Sequence, residues 1–243
     1  MTRNDLQHSL VAMAALVLVL VLLVQGASGQ TEGSRWTSFV TQARFEKLFP
    51  LRNPFYTYDA FRAAASGRYP AFGNSGAGLD DRKRELAAFL ANVYQETGGL
   101  NEIWEQNAKG FDYCKNDTAD VRAKYPCAAG KAYIGRGPLQ ISWNYNYGDC
   151  GKALNLPLLT DPGRVASKPL IAFQTALWFW MSKGCHDAIL RKSFSSTIRI
   201  INGGVECKPD AKAVGHQQML NRVQYYKNFC TELSVDPGID LEC

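Results

Sequence analysis

The stretch Asp80-Asp-Arg-Lys-Arg-Glu-Leu-Ala-Ala-Phe-Leu-Ala-Asn-Val-Tyr-Gln-Glu-Thr-Gly-Gly99 decides how the rest of the chain reads. Leu86, Phe89, Leu90 and Val93 recur at helical spacing, Asp80 or Asp81 can cap the start, and Gly98-Gly99 ends the run. Working outward, residues 171–181 are apolar nearly all round and carry Trp178, Phe179 and Trp180, the pattern of a helix buried in a core. Residues 41–49 and 58–65 show helical periodicity, with turns at Gly67 and at 73–78, and a final amphipathic helix runs through Met219, Leu220, Val223, Tyr226 and Phe229. Between the central and later helices lies Tyr133-Ile-Gly-Arg-Gly-Pro-Leu-Gln-Ile-Ser-Trp-Asn-Tyr-Asn-Tyr-Gly148. Its Gly and Pro content and alternating polar residues predict a short hairpin rather than a helix. The expected class is therefore mainly α (α+β), with a small β-hairpin.

Composition narrows the field. At 243 residues, 46% hydrophobic and 20% charged, the chain has the make-up of a globular protein, which excludes disorder, collagen and coiled coil. No repeat, low-complexity tract or linker interrupts residues 30–243, so one sizeable domain is expected. The net charge of +5 is modest and no run of five basic residues occurs, so no nucleic-acid footprint is indicated.

Residues 10–24 form an unbroken apolar run of 15 residues, followed by Gln25-Gly-Ala-Ser-Gly29. A membrane span needs roughly 20 such residues, so residues 1–29 read as a secretory signal cleaved near Gly29, with an uncleaved anchor as the rival. No membrane association is expected after removal. Residues 30–44 are then a short N-terminal segment, and 45–243 the functional domain. All seven cysteines follow the signal, which suits three bridges and one thiol in an oxidising compartment. Metal binding is disfavoured, because no pair has CxxC spacing and only His186 and His216 remain after the signal. Asn116-Asp117-Thr118 is a glycosylation sequon.

Glu96 lies at the edge of the apolar stripe, seven residues after Phe89, where partial desolvation favours a protonated carboxyl of the kind a general acid requires. A solvated glutamate near a helix end is the competing reading. Glu105 follows nine residues on. In one continuous helix the two would stand roughly 13 Å apart, but a break at Gly98-Gly99 lets the chain turn back. Glu105 can then face Glu96 at the roughly 6.5 to 9.5 Å that leaves room for a water. Glu102 competes for the same role. Gln140, Asn144 and Asn146 offer amides, Ser142 a hydroxyl, and Trp143, Tyr145 and Tyr147 flat faces, a set suited to a neutral, acetamido-bearing sugar chain.

Seven segments in order then resemble the plant-type chitinases of glycoside hydrolase family 19: Phe55-Tyr-Thr-Tyr-Asp-Ala-Phe61, Lys83-Arg-Glu-Leu-Ala-Ala-Phe89, Gln95-Glu-Thr-Gly-Gly99, Tyr125-Pro-Cys127, Gly135 to Gly148, Ala176-Leu-Trp-Phe-Trp-Met181 and Ile201-Asn-Gly-Gly-Val-Glu-Cys207. The resemblance implies a two-lobed, lysozyme-like fold with a substrate cleft between the lobes. It implies hydrolysis of β-1,4-linked N-acetylglucosamine by a single displacement with inversion, without a cofactor, by a monomer acting on chitin and chito-oligosaccharides. By motif position Glu96 is similar to the general acid, Glu105 to the general base and Ser142 to the hydroxyl that helps hold the water. Gln140, Trp143, Tyr145, Asn146, Asn202 and Arg222 match positions that contact sugar or support the carboxylates, and Glu206 matches a further charged cleft position. Cys114 with Cys127 and Cys207 with Cys243 match family bridges. Cys150 with Cys185 makes the third expected pair, leaving Cys230 free. The chain departs from the pattern at Gln95, where the family commonly has His, and in having no cysteine-rich chitin-binding module in residues 30–44. A non-catalytic chito-oligosaccharide binder and a peptidoglycan hydrolase are the alternatives, and secretion, with a vacuolar destination also compatible, is the expected location.

Overall fold

The computed structural model describes residues 35–106, 108, 111–208 and 213–243, and the expected signal with its cleavage site lies outside them. Among the described residues the elements are α1 (Trp36–Phe39), α2 (Gln42–Leu48), α3 (Tyr58–Arg68), α4 (Leu79–Thr97), α5 (Ala119–Lys124), α6 (Asn144–Leu154), α7 (Arg164–Ser167), α8 (Pro169–Ser182), α9 (Cys185–Leu190), α10 (Phe194–Glu206) and α11 (Val214–Leu233). The helices foreseen from periodicity form where side chains can close their open ends. Thr41 accepts from Arg44 N at 3.3 Å to start α2, and Thr57 from Ala60 N at 3.2 Å to start α3. Helix α4 begins differently, after Gly78 rather than at an aspartate cap. Asp81 sits in its first turn, accepts from Ala77 N at 2.9 Å and pairs with Arg84.

Helix α4 is the central beam. It packs against α11, α9 and α1, while α3 lies along α8 and α10 joins α9 to α11. Phe61 stacks on Phe89 at 5.9 Å, and the Phe89 ring meets Trp180 of α8 edge-on at 5.5 Å. All three are fully buried, and each such side chain contributes about 1.5–3 kcal/mol of transfer free energy. Among the described residues no helix is long and apolar enough to cross a membrane.

The hairpin reduces to a single antiparallel bridge, Arg136 to Ile141, with Trp104 bridged to the other side of Arg136. From Asn144 onward the same stretch is helical, which corrects the expectation for its second half. Packing explains the change. Asn144 donates to the Tyr125 carbonyl at 2.7 Å, Tyr147 is fully buried, and a Cβ at Gly148 would stand 2.3 Å from the Tyr125 ring. The Asn and Gly that suggested a turn are thus what lets α6 lie against Tyr125.

Two disulfides form as expected, Cys114–Cys127 and Cys207–Cys243. The expected Cys150–Cys185 bridge does not: both remain thiols, as does Cys230, and all three are buried. Burial pushes the Cys185 and Cys230 thiols up to about 12, which makes them inert as nucleophiles.

A second polar cluster is buried beside α4. Glu85, with no exposed surface, accepts from Gly73 N at 2.9 Å, Trp180 Nε1 at 3.0 Å and His186 Nδ1 at 2.6 Å. The hydrogen bond to Glu85 raises the His186 pKa above its ordinary value, against an opposing effect of burial. A raised folded-state pKa stabilises fully below the unfolded value of about 6.5 and is lost as pH climbs through the folded value. The melting temperature is therefore expected to drop as pH rises above about 6.5, and His186→Gln should flatten that drop. Identical pH profiles for the two proteins in calorimetry would refute the coupling.

Candidate active site

Glu85, Asn92 and Glu96 recur at spacings of seven and four along α4, so they share one stripe of the helix. The stripe ends where the helix does. Gly98, Gly99 and Leu100 take φ of 58°, 78° and 63°, three left-handed residues in succession. Glycine adopts this freely, whereas Leu100 is held there by its N–H donating to Thr97 Oγ1 at 2.7 Å and by its carbonyl accepting from Asn53 N at 2.9 Å. The reversal lays residues 103–105 against the 135–137 turn. Glu105 N donates to Gly135 O and Gly137 N donates to Ile103 O, both at 2.9 Å.

The result is a cleft of about 1000 Å³. One wall comes from α4, α10 and α11, the other from the 102–106 loop, the 135–143 turn and the start of α6. Glu96, Glu105, Ser142, Gln140, Trp143, Tyr145, Asn146 and Asn202 all line it, so the structure brings together most of the predicted residues. Glu102 lines it too, but its carboxylate accepts from Gln106 Nε2 at 2.8 Å. Gln140 and Trp143 are held at φ of 45° and 72°, and Trp143 stacks on Tyr145 with ring centroids 6.2 Å apart.

Of the two roles that motif position allowed, contacting sugar or supporting the carboxylates, Arg222 takes the second, and Glu206 is paired with it. Each is 1% exposed, and neither lines the cleft. They lie beneath Glu96. Arg222 donates to both oxygens of Glu206, from Nε at 3.0 Å and Nη2 at 2.5 Å, to Asn92 Oδ1 from Nη1 at 2.9 Å, and to Glu96 Oε1 from Nη2 at 2.6 Å. Asn202, where α10 kinks out of helical geometry, adds a bond from its amide to Glu206 at 3.0 Å. One buried cation thus faces two carboxylates. Glu206 holds it on two bonds, so Glu96 is the group whose charge is left incompletely balanced. Burial raises the Glu96 pKa above the usual carboxylate range; the Arg222 charge and hydrogen bond oppose this, and the Glu206 charge reinforces it.

Glu105 has different neighbours. Tyr113 Oη donates to its Oε1 at 2.6 Å and Gly135 N to its Oε2 at 3.1 Å. Two glutamates of contrasting environment therefore share one cleft, an arrangement suited to one proton donor and one proton acceptor. Sequence reasoning missed Tyr113, Asn92 and Lys183, the last of which also lines the cleft. Asn92 was findable as a polar residue at the fourth position before Glu96. Tyr113 left no local signal.

A family model described as chitinase class I matches residues 39–243. Chitinase 6 of Oryza sativa subsp. japonica is 47% identical over 190 residues, 78% of this chain and 66% of that protein. The acidic endochitinase of Dioscorea japonica is 46% identical over 193 residues, 78% of this chain and 72% of that one. Among solved structures, the family GH19, class IV chitinase from Zea mays is 43% identical with a TM-score of 0.73, covering 85% of this chain and 98% of the other. Chitinase C from Streptomyces griseus HUT6037 is 40% identical with a TM-score of 0.75, covering 84% and 80%.

Proposed function

Since the chain belongs to the glycoside hydrolase family 19 chitinases, we propose that it is a secreted endochitinase that hydrolyses β-1,4 linkages between N-acetylglucosamine units by a single displacement with inversion. The observation that carries this reading is the contrast between Glu96, sharing a buried arginine with Glu206, and Glu105, whose two oxygens each accept a hydrogen bond. Glu96 donates its proton to the glycosidic oxygen as the bond to the anomeric carbon breaks. Glu105 takes a proton from the water that attacks that carbon from the opposite face, and exchange with solvent restores both groups. Ser142 and the amides of Gln140, Asn146 and Asn202 supply hydroxyl and amide partners for the water and the sugar, and Trp143 and Tyr145 supply faces for pyranose rings.

The direct test is time-resolved NMR of residues 30–243 with an N-acetylglucosamine hexamer. Initial α-anomer at the new reducing ends supports inversion, and initial β-anomer overturns it. Binding without cleavage would favour the non-catalytic reading instead. Turnover of bacterial wall in place of the hexamer would favour a peptidoglycan hydrolase.

The base assignment has its own check. Glu105→Gln is expected to lower kcat about hundredfold or more, whereas Glu102→Gln, which removes a carboxylate tied to Gln106, should cost less than about tenfold. A reversed order would move the base to Glu102.

A further inference from the structure

We infer that Tyr113 is the positioning residue for Glu105, holding its carboxylate in place in the cleft, and that the Cys114–Cys127 disulfide anchors it. The inference rests on the base role proposed above for Glu105. Tyr113 comes from a loop that forms no part of either carboxylate motif, yet its hydroxyl reaches Oε1 at 2.6 Å, the shorter of the two bonds that Glu105 receives. A carboxylate has two lone-pair directions on each oxygen. One donor on Oε1 and one on Oε2 leave the remaining pairs for a proton taken from water.

The phenol is itself held by two aromatic neighbours. Its ring meets Phe111 edge-on at 4.7 Å and Trp143 edge-on at 5.4 Å, and Trp143 stacks in turn on Tyr145 in the cleft. Its carbonyl accepts from Asn144 N at the start of α6. The next residue, Cys114, is 1% exposed and bridged to Cys127, and its N–H and that of Lys115 both donate to the Asp112 side chain at 2.9 Å. A short loop is thereby pinned by a covalent link on one side and an aromatic stack on the other. The hydroxyl has little freedom to leave Glu105.

Other ionisable groups near Glu105 are accounted for. Tyr147 lies behind it with its hydroxyl donating to Ile134 O and accepting from Arg136, and Arg136 further donates to the carbonyls of Ala132 and Ile134. Glu96, Glu102 and Lys183 line the same cleft. None of these groups donates a hydrogen bond to Glu105, whose side-chain oxygens accept from Tyr113 and from Gly135 N among the described residues. The Tyr113 hydroxyl is thus the side-chain donor to Glu105, and burial together with Glu105 pushes its own pKa upward, so it stays protonated as a donor.

The test compares wild type, Tyr113→Phe and the chain with 3-fluorotyrosine at position 113, using kcat, KM and the pH dependence of kcat/KM on the hexamer. Tyr113→Phe keeps the ring stack and removes the hydrogen bond. Its kcat should fall about tenfold with KM within about twofold, and the acidic limb of the profile should move up by about one pH unit. The fluorinated phenol is a stronger donor and should move that limb the other way, a readout that a merely structural ring would not give and that does not depend on the Phe variant folding. A wild-type chain that leaves the hexamer uncut would overturn both the hydrolase reading and this inference. A wild type that cleaves, with the acidic limb unmoved in both altered chains, would overturn the inference alone.

Discussion

Glu96→Gln is expected to lower kcat on the N-acetylglucosamine hexamer by at least about thousandfold while leaving the dissociation constant within a few fold. The size follows from what the carboxyl does. An unassisted alkoxide is a poor leaving group, and the amide of glutamine has no proton acidic enough to neutralise it. Binding should be preserved because Gln140, Trp143 and Tyr145 line the cleft from other segments than Glu96 and keep their amide and ring faces in the variant. The substituted amide can still accept from Arg222 through its carbonyl, so the network beneath it survives. The basic limb of the wild-type profile should lie above the usual carboxylate range, because burial raises the Glu96 pKa and activity is lost when this group ionises. Near-wild-type turnover in the variant would remove Glu96 from the role of acid.

The second large effect is on stability. Arg222→Met is expected to cost about 3–5 kcal/mol, because it leaves Glu206 at 1% exposure and Glu96 beside it with no cation. Glu206 would then resist ionisation in the folded state, so its folded pKa would rise above the unfolded value. The deficit should accordingly shrink as pH falls through that raised value. Adding Glu206→Leu to Arg222→Met removes the stranded charge and should recover much of the loss, although the acid would no longer be tuned. Urea unfolding at two pH values measures all three. A loss below about 1 kcal/mol in the single variant would mean that the pair is balanced by something other than its own contacts.

Much of this was legible from local pattern. Helices α4, α8 and α11 announce themselves through apolar spacing, and Gly98-Gly99 marks both the end of α4 and the reversal that brings Glu105 back. The candidate acid, base and most cleft residues came from ordered motifs rather than periodicity, since a lone glutamate at a helix end is chemically ambiguous. What failed was tertiary. Residues 144–148 carry turn-forming types, but the helix is decided by how Gly148 meets the Tyr125 ring, a contact across more than twenty positions. The third disulfide failed for a similar reason: an odd count of cysteines does not say which sulfurs come within bonding reach, and Cys150 and Cys185 stay buried thiols. Arg222 and Glu206 were named by motif position with two roles open, and it is burial that places them under Glu96, as supports of a carboxylate and not as lining of the cleft.

Glu96 and Arg222 stand 126 positions apart, and Glu206 reaches the same arginine from another helix. Helix α11 therefore supplies the guanidinium that the proposed acid shares with Glu206, and a disulfide ties Cys207, just after α10, to Cys243. During synthesis, everything up to residue 213 can be on hand while Glu96 still lacks its counter-ion. Recovery of turnover after dilution from denaturant should likewise wait for α11 to dock on α4 and trail the return of helical circular dichroism.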